Sequence, residues 1–200
     1  MTGRLILASA SPRRAALLAQ IGICPDETVA ADIDESATQG ELPRQTAQRL
    51  AEMKARTVSQ SFPDDYVLGA DTVVACGRRL LDKAEDEAMA RRHLKLLSGR
   101  RHRVHGGICI IAPGGRAHER LVTTQVSFKR LTEAEIGAYL TSAEWRGKAG
   151  AYAIQGRAGG FVKSINGSYG NVVGLALYET LSLLEGIGMS TTMDTLTEAT

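Results

Sequence analysis

The stretch Val67-Leu-Gly-Ala-Asp-Thr-Val-Val-Ala-Cys76 is an almost continuous apolar run, broken only by Gly69, Asp71 and Thr72. It suits a strand buried on both faces, which is what a sheet covered by helices on either side requires. A carboxylate in the middle of such a run is costly to bury unless it is paired or bound to metal. Gly69 and Ala70 leave room for a ligand to approach the backbone, and Thr72 sets a hydroxyl beside the carboxylate. A structural aspartate satisfied by backbone amides at a strand end explains this segment alone equally well.

On the N-terminal side, Leu5 to Leu7 reads as a short buried strand. The small-residue turn Ala8-Ser9-Ala10 follows, then a helix from about Pro12 to Ile21. Ser11 is a favoured N-cap, Pro12 fits the first helical position and Gly22 supplies the stop. A second helix is predicted over about Thr46 to Val58, with Ala47, Leu50, Ala51 and Val58 on one face and Lys54 on that same face.

On the C-terminal side, Cys76-Gly-Arg-Arg79 reads as a turn into a short strand ending near Asp82. Helices are predicted at about Asp86 to Leu97 and at Glu133 to Leu140, where Thr132 and Glu135 form a capping-box pattern. Two strands, His102 to Ile111 and Leu121 to Phe128, lie between them. After the Gly-rich stretch Gly147 to Gly160, a strand over Phe161 to Ile165 turns at Asn166-Gly167, and a last helix covers about Ala176 to Leu184. Met189 to Thr200 lacks a usable apolar pattern and reads as a mobile tail. With no internal repeat and no linker, the chain reads as a single α/β domain over residues 1–185, with 186–200 as its tail.

Composition sets the remaining bounds. At 200 residues, 44% of them hydrophobic, the chain can bury a sizeable core without disulfides or a structural metal. A formal net charge of +2 is too small for a general nucleic-acid or membrane surface, so an anionic ligand must be held by locally placed cations. Cys24, Cys76 and Cys109 are widely spaced and read as reduced, mostly packed thiols of a reducing compartment. The apolar run within Met1 to Ala10 is shorter than a signal-peptide core, and no segment approaches the roughly 18 apolar residues of a membrane span. A soluble, cytoplasmic protein is expected.

Several residues carry chemistry. Around Ser9 to Arg14 a strand feeds a tight loop and a helix N-terminus, whose free amides and dipole attract anions. Arg13 and Arg14 in that first turn oppose the dipole, a conflict that an anionic ligand removes; both arginines extending into water or pairing with acids is the alternative. Lys54, within an apolar stripe, either snorkels outward or meets an anion in a cleft. Asp32, Asp34 and Glu35 form an acidic loop cluster whose oxygens suit Mg²⁺ or Mn²⁺ rather than zinc, although solvated loop acids are common. Lys83 and Gln155 do not stand out alone. His93, His102, His105 and His118 have no ligand-like spacing and read as helix-face or sheet-surface residues.

Together these segments resemble the Maf family of nucleotide pyrophosphatases, from about Leu5 to Leu184. The resemblance rests on Leu7-Ala-Ser-Ala-Ser-Pro-Arg-Arg14, Arg49-Leu-Ala-Glu-Met-Lys-Ala55, Gly69-Ala-Asp-Thr-Val-Val74, Asp82-Lys83, Leu97-Ser-Gly99, Lys148-Ala-Gly-Ala-Tyr-Ala-Ile-Gln-Gly156 and Ile165-Asn-Gly-Ser-Tyr169. It implies a mixed, twisted sheet flanked by helices, Maf- or ITPase-like, with a central nucleotide cleft. It also implies that Asp71 is the catalytic acid or base and a metal contact, with Glu35 as a second acidic metal contact. Ser9, Arg13 and Arg14 match the triphosphate-binding loop, Lys54 and Lys83 match two phosphate-facing lysines, and Thr72 and Gln155, with Arg13, match positions tied to base choice.

The Lys-Ala-Gly-Ala-Tyr-x-Ile-Gln-Gly form resembles the branch acting on dTTP and UTP, whereas the branch acting on methylated guanine nucleotides tends to carry Ala-Gly-Ser-Phe and a Glu near Gln155. One departure is Ala84, where the family usually has Pro, and its loss could loosen the loop presenting Lys83. The resemblance thus implies a pyrophosphatase with a divalent cation, Mg²⁺ or Mn²⁺, and a nucleoside triphosphate as partner. No membrane or stable nucleic-acid partner is expected, and a homodimer is compatible. A nucleotide-binding regulator of cell division with little turnover is the alternative, and a metal-dependent phosphatase releasing orthophosphate is a third.

Overall fold

The apolar run around Asp71 is the third strand of a mixed sheet in the computed structural model, which describes residues 3–36 and 38–189. In chain order the elements are β1 (Leu5–Ala8), α1 (Pro12–Gln20), β2 (Glu27–Val29), α2 (Pro43–Ser59), β3 (Tyr66–Cys76), β4 (Arg79–Leu80), α3 (Glu87–Leu97), β5 (Arg101–Ile111), β6 (Ala117–Phe128), α4 (Glu133–Thr141), a 3-10 turn (Arg157–Phe161), β7 (Val162–Asn166), α5 (Tyr169–Val173) and α6 (Leu177–Gly186). The strand order is β2-β1-β3-β5-β6-β7, with β4 paired to β3. β1 runs parallel to β2 and β3, and every other pairing is antiparallel. The expected mixed α/β sheet flanked by helices is what forms.

β3 is buried on both faces because its alternate residues feed different cores. Leu68 and Ala70 join Leu5 and Leu7 beneath α1 and α6. Val67 joins Ile6 and Ala8 beneath Ala51, Ala55 and Val58 of α2. A third cluster forms where Val74, Val104, Val126 and Phe128 meet α3, α4 and the segment around Trp145 and Tyr152. Full burial of each large apolar side chain contributes roughly 1.5–3 kcal/mol, so the continuous apolar pattern is what an enclosed strand demands.

Two glycines set how closely α2 lies on the sheet. A Cβ on Gly69 would stand 2.4 Å from the Ala51 carbonyl oxygen, and one on Gly107 would stand 2.0 Å from that of Ala47. Bare backbone at these points lets α2 settle onto β3 and β5. Asp71 lies two residues after Gly69 and so points to the same, α2-facing side. On the opposite side, a Cβ on Gly106 would meet Asn171 Oδ1 at 1.8 Å. Asn171 Nδ2 donates to the Val104 carbonyl at 3.1 Å and fastens α5 to β5.

Local expectations hold in most places and fail in a few. Asp86 and Thr132 cap α3 and α4 through their side chains, and Gly22 takes the left-handed conformation that ends α1. Ser11 occupies the N-cap position of α1, but its hydroxyl makes no capping bond; its N–H donates instead to Ser9 Oγ. β2 and α5 escape the sequence reading, and the Asn166-Gly167 turn leads into α5, capped by Ser168. The histidines are corrected too: His102 is 1% exposed, edge-on to Phe128 and Tyr152, so it belongs to the core and not to a sheet surface. Of the three thiols, all free, Cys109 is buried, Cys76 half-buried and Cys24 exposed. At the C-terminus, Ile187 and Met189 still pack against the α1/α6 core, and residues 190–200 of the expected tail lie outside the described residues. Among the described residues no helix is long and apolar enough to cross a membrane.

Candidate active site

β1 pairs with β3 only as far as Ala8 opposite Gly69, and β4 pairs with β3 only at Ala75 and Cys76. Between them, among the described residues, no strand covers this edge of β3. The chain leaving β1 turns through Ser9 into α1 on one face while α2 covers the other, so a cleft of about 460 Å³ opens at the carboxyl end of β1. Clefts at such points, where chain connections diverge, are where open α/β sheets place ligands.

A chain of alternating charges runs along its floor. Lys54 Nζ lies 2.6 Å from Asp71 Oδ1 and 2.6 Å from Glu35 Oε1, and Lys83 Nζ lies 3.0 Å from Glu35 Oε2. Lys54 and Asp71 are 6% and 8% exposed, so Lys54 does not snorkel: its ammonium turns inward to meet carboxylates. Burial raises the Glu35 pKa, but the two ammonium groups outweigh it and hold Glu35 at about 2. Of the acidic loop trio only Glu35 reaches the cleft. Asp34 accepts from the Ser36 N–H at 2.9 Å and from the Ser36 hydroxyl, and Asp32 is exposed, so these two behave as ordinary loop acids.

The loop after β1 is organised by Arg14. Its Nη1 donates to Ser9 Oγ at 3.0 Å, its Nε to the Gly174 carbonyl at 2.9 Å and its Nη2 to Thr72 Oγ1 at 3.3 Å. One buried guanidinium thus ties the loop, β3 and the end of α5 together, and burial pushes its pKa down. Arg13 is half-buried, with Nε on the Val173 carbonyl at 3.3 Å. Thr72 Oγ1 donates onward to the Gly174 carbonyl. Gln155 lines the cleft, exposed, and among the described residues no hydrogen bond engages its amide.

Lys83 is held by its backbone despite Ala84 standing where the family usually has Pro. It forms an antiparallel bridge with Ala149, while the Gly150 N–H donates to the Leu81 carbonyl at 2.7 Å and Ala84 is itself buried. This stapling also brings in Lys148, a lining residue that sequence reasoning left without a role. The signal was there: Lys148 opens the Lys-Ala-Gly-Ala-Tyr run. Its pKa is lowered by burial first and by the neighbouring Arg13 charge second, with Glu144 opposing.

The nine residues that the family resemblance assigns to the site, Ser9, Arg13, Arg14, Glu35, Lys54, Asp71, Thr72, Lys83 and Gln155, all line this one cleft. Its charged lining sets Arg13, Arg14, Lys54, Lys83 and Lys148 against Glu35 and Asp71, a local excess of three positive charges. The whole chain carries only +2. Such a cleft concentrates anions, and a polyanion is the ligand whose charge it would neutralise.

Comparison with known proteins gives the family. The family model described as "Maf-like protein" matches residues 4–187. A dTTP/UTP pyrophosphatase of Paramagnetospirillum magneticum is 61% identical over 93% of this chain and 98% of its own length. One of Caulobacter vibrioides is 59% identical over 92% and 95%. Among solved structures, a nucleoside-triphosphatase / dITP/XTP pyrophosphatase of Mycobacterium abscessus aligns with 64% of this chain and 75% of its own at 16% identity and a TM-score of 0.41, a likeness too loose to bear on chemistry. Matched by the family model over nearly its whole length and to relatives well above half identical, the chain belongs to the Maf family.

Proposed function

We propose that this protein hydrolyses nucleoside triphosphates, dTTP and UTP foremost, between the α- and β-phosphates, giving a nucleoside monophosphate and pyrophosphate. The observation that carries the reading is the cleft in which five cations surround two carboxylates. Water adds to the α-phosphorus and the bond to the β-phosphate oxygen breaks, so charge must be neutralised on the leaving pyrophosphate. Arg13, Lys54, Lys83 and the remaining donors of Arg14 hold phosphate oxygens. Ser9 shapes the loop that receives them, and Asp71 orients the water and takes its proton. Thr72 and Gln155 meet the base, and the names borne by the similar proteins support a pyrimidine there.

The donor set fits a hard divalent cation. Asp71 and Glu35 present only oxygen, and among the described residues no group of three or more His, Cys, Asp or Glu gathers to form a closed cage. Magnesium and manganese are bound in this open way, by one or two carboxylates with water and substrate phosphates completing the shell. When bound, the ion supplies positive charge to the phosphate oxygens and acidifies water. Free thiols suit the reducing cytoplasm where nucleotide pools lie.

Product analysis over dTTP, UTP, CTP, GTP and ATP tests this reading. Monophosphate and pyrophosphate in equal amounts are expected, fastest from dTTP and UTP. Orthophosphate as the product would make the protein a phosphatase. Tight nucleotide binding without turnover would instead favour a regulator.

A further inference from the structure

Glu35 stands on a stretch without regular structure, and its side chain is 43% exposed. Its visible partners are Lys54 and Lys83, the same ammonium groups that an arriving triphosphate would claim. Ion pairs at that exposure hold a side chain weakly. Something other than the lysines has to keep Glu35 in place when they turn to phosphate.

Arg49, one turn and a half before Lys54 on α2, supplies that anchor. Its Nε donates to Glu41 Oε1 at 2.8 Å and its Nη2 to Glu41 Oε2 at 2.8 Å, a planar fork on both carboxylate oxygens. The same Nη2 donates to the backbone carbonyl of Ser36 at 3.0 Å, the residue next to Glu35. Glu41 Oε2 also accepts from the Thr38 N–H at 3.2 Å and from Thr46 Oγ1 at 3.1 Å. On the other flank of Glu35, the Asp34 carboxylate holds the Ser36 N–H. The backbone around Glu35 is therefore pinned to α2, the helix that carries Lys54.

We infer that the Arg49–Glu41 pair is a clamp that positions Glu35 in the cleft, which makes Arg49 a positioning residue for the reaction; the inference rests on the proposed role of Glu35 as a metal contact. The fork bonds of Arg49 draw the Glu41 pKa down to about 2, so the clamp stays closed throughout the neutral range. Lysine cannot replace it, because a single ammonium lacks the planar fork that serves both Glu41 oxygens and Ser36 together.

Three readouts on Arg49→Ala, Arg49→Lys, Glu35→Gln and the Arg49→Ala/Glu35→Gln double variant decide it. Amide hydrogen exchange over residues 30–41 should quicken in Arg49→Ala while α2 and β3 keep their protection. Mn²⁺ binding, followed by electron paramagnetic resonance without nucleotide, and the metal dependence of pyrophosphate release from dTTP should each weaken about 10- to 100-fold in Arg49→Ala. Arg49→Lys should recover only part. The double variant should be no worse than Glu35→Gln alone, because the arginine acts through the glutamate. Unchanged exchange in Arg49→Ala, or losses that multiply in the double variant, would overturn the clamp. A wild-type protein that binds Mn²⁺ but releases no pyrophosphate from any nucleotide would instead strike the proposed reaction, and the exchange and Mn²⁺ results would still decide the clamp.

Discussion

Asp71 Oδ1 and Lys54 Nζ meet at 2.6 Å although they belong to a central strand and the helix lying across it. Gly69 makes the meeting possible, because α2 could not approach β3 with a side chain at that point. The ammonium compensates the buried carboxylate while no metal or phosphate is bound, which answers why a carboxylate is tolerated in so apolar a run. Asp71→Asn keeps the size of the side chain and a hydrogen-bond acceptor for Lys54, so the fold should persist. Turnover should fall on the order of a hundredfold or more, as for loss of a positioned base and metal contact. Near-normal activity in a folded Asp71→Asn protein would remove Asp71 from that role.

Lys54→Met asks the converse question. Methionine retains the aliphatic length on the apolar face of α2, but it leaves Asp71 and Glu35 facing one another without a cation. Breaking a buried ion pair from one side costs about 3 kcal/mol. The variant should therefore melt well below wild type in a chelator, and millimolar Mn²⁺ should restore much of the difference by joining the two carboxylates. A melting temperature equal to that of wild type in chelator would show that Lys54 does not compensate the pair.

Much of this arrangement could be read in the sequence because it is local. The apolar run of β3, the capping residues Asp86 and Thr132, and Lys54 on the inner face of its helix are all set by short-range pattern. What escaped depends on partners far along the chain. Gly106 and Gly107 look like weaknesses in β5 until Asn171 and Ala47 are seen pressed against them. The five residues of α5 are too few to show helical periodicity, and His102 is a core residue only because Phe128 and Tyr152 converge on it. Within the acidic loop, the pattern Asp-Ile-Asp-Glu does not itself say which carboxylate turns inward, and only the family resemblance points to Glu35; the contacts of Ser36 with Asp34 and Arg49 show how the loop is held.

Lys148 should act on substrate binding. It shares the cleft with Arg13, and their mutual repulsion is relieved when an anion arrives between them. A hydrogen bond to a charged group contributes roughly 1.5–3 kcal/mol, so Lys148→Ala should raise KM for dTTP by about tenfold to a hundredfold. Its melting temperature should barely move, since among the described residues the Lys148 ammonium bonds only to the Arg146 carbonyl. An unaltered KM would exclude Lys148 from the phosphate site.

His102 ties stability to pH. Burial lowers its pKa from 6.5 to about 4, so between those values the unfolded chain takes up a proton that the folded chain refuses. Stability is therefore full above pH 6.5 and declines as the pH falls toward 4, by on the order of 3 kcal/mol in all. His93 and His105 are shifted downward by burial as well and add to the same trend. The share of His102 is the part that disappears in His102→Gln. Urea midpoints at pH 7 and pH 5 should lie closer together in that variant than in wild type, and an equal separation would sink the assignment.

Gln155 should decide the base. Its side-chain amide is both donor and acceptor, as the carbonyl and N–H edge of uracil or thymine requires, whereas an ionised carboxylate only accepts. Gln155→Glu therefore loses the donor half of the contact. The fold should tolerate the change, because the side chain is exposed at the cleft and among the described residues no hydrogen bond holds its amide. Beside it, a Cβ on Gly156 would stand 2.1 Å from Glu144 Oε2, the end of a flexible side chain. That same Glu144 carboxylate accepts from the Arg157 N–H at 2.8 Å and pairs with the Arg157 side chain, so its charge is already met. An unpaired polar group in a desolvated site costs roughly 1–3 kcal/mol, which corresponds to a loss of about tenfold to a hundredfold in kcat/KM for dTTP and UTP. Mn²⁺ affinity and melting temperature should change little, because Glu35 and Asp71 lie on other elements. Kinetics on dTTP, UTP, CTP and GTP would separate the cases. Equal losses on all four nucleotides would point to general repulsion of phosphate, and unchanged kinetics on dTTP and UTP would place Gln155 outside the base pocket.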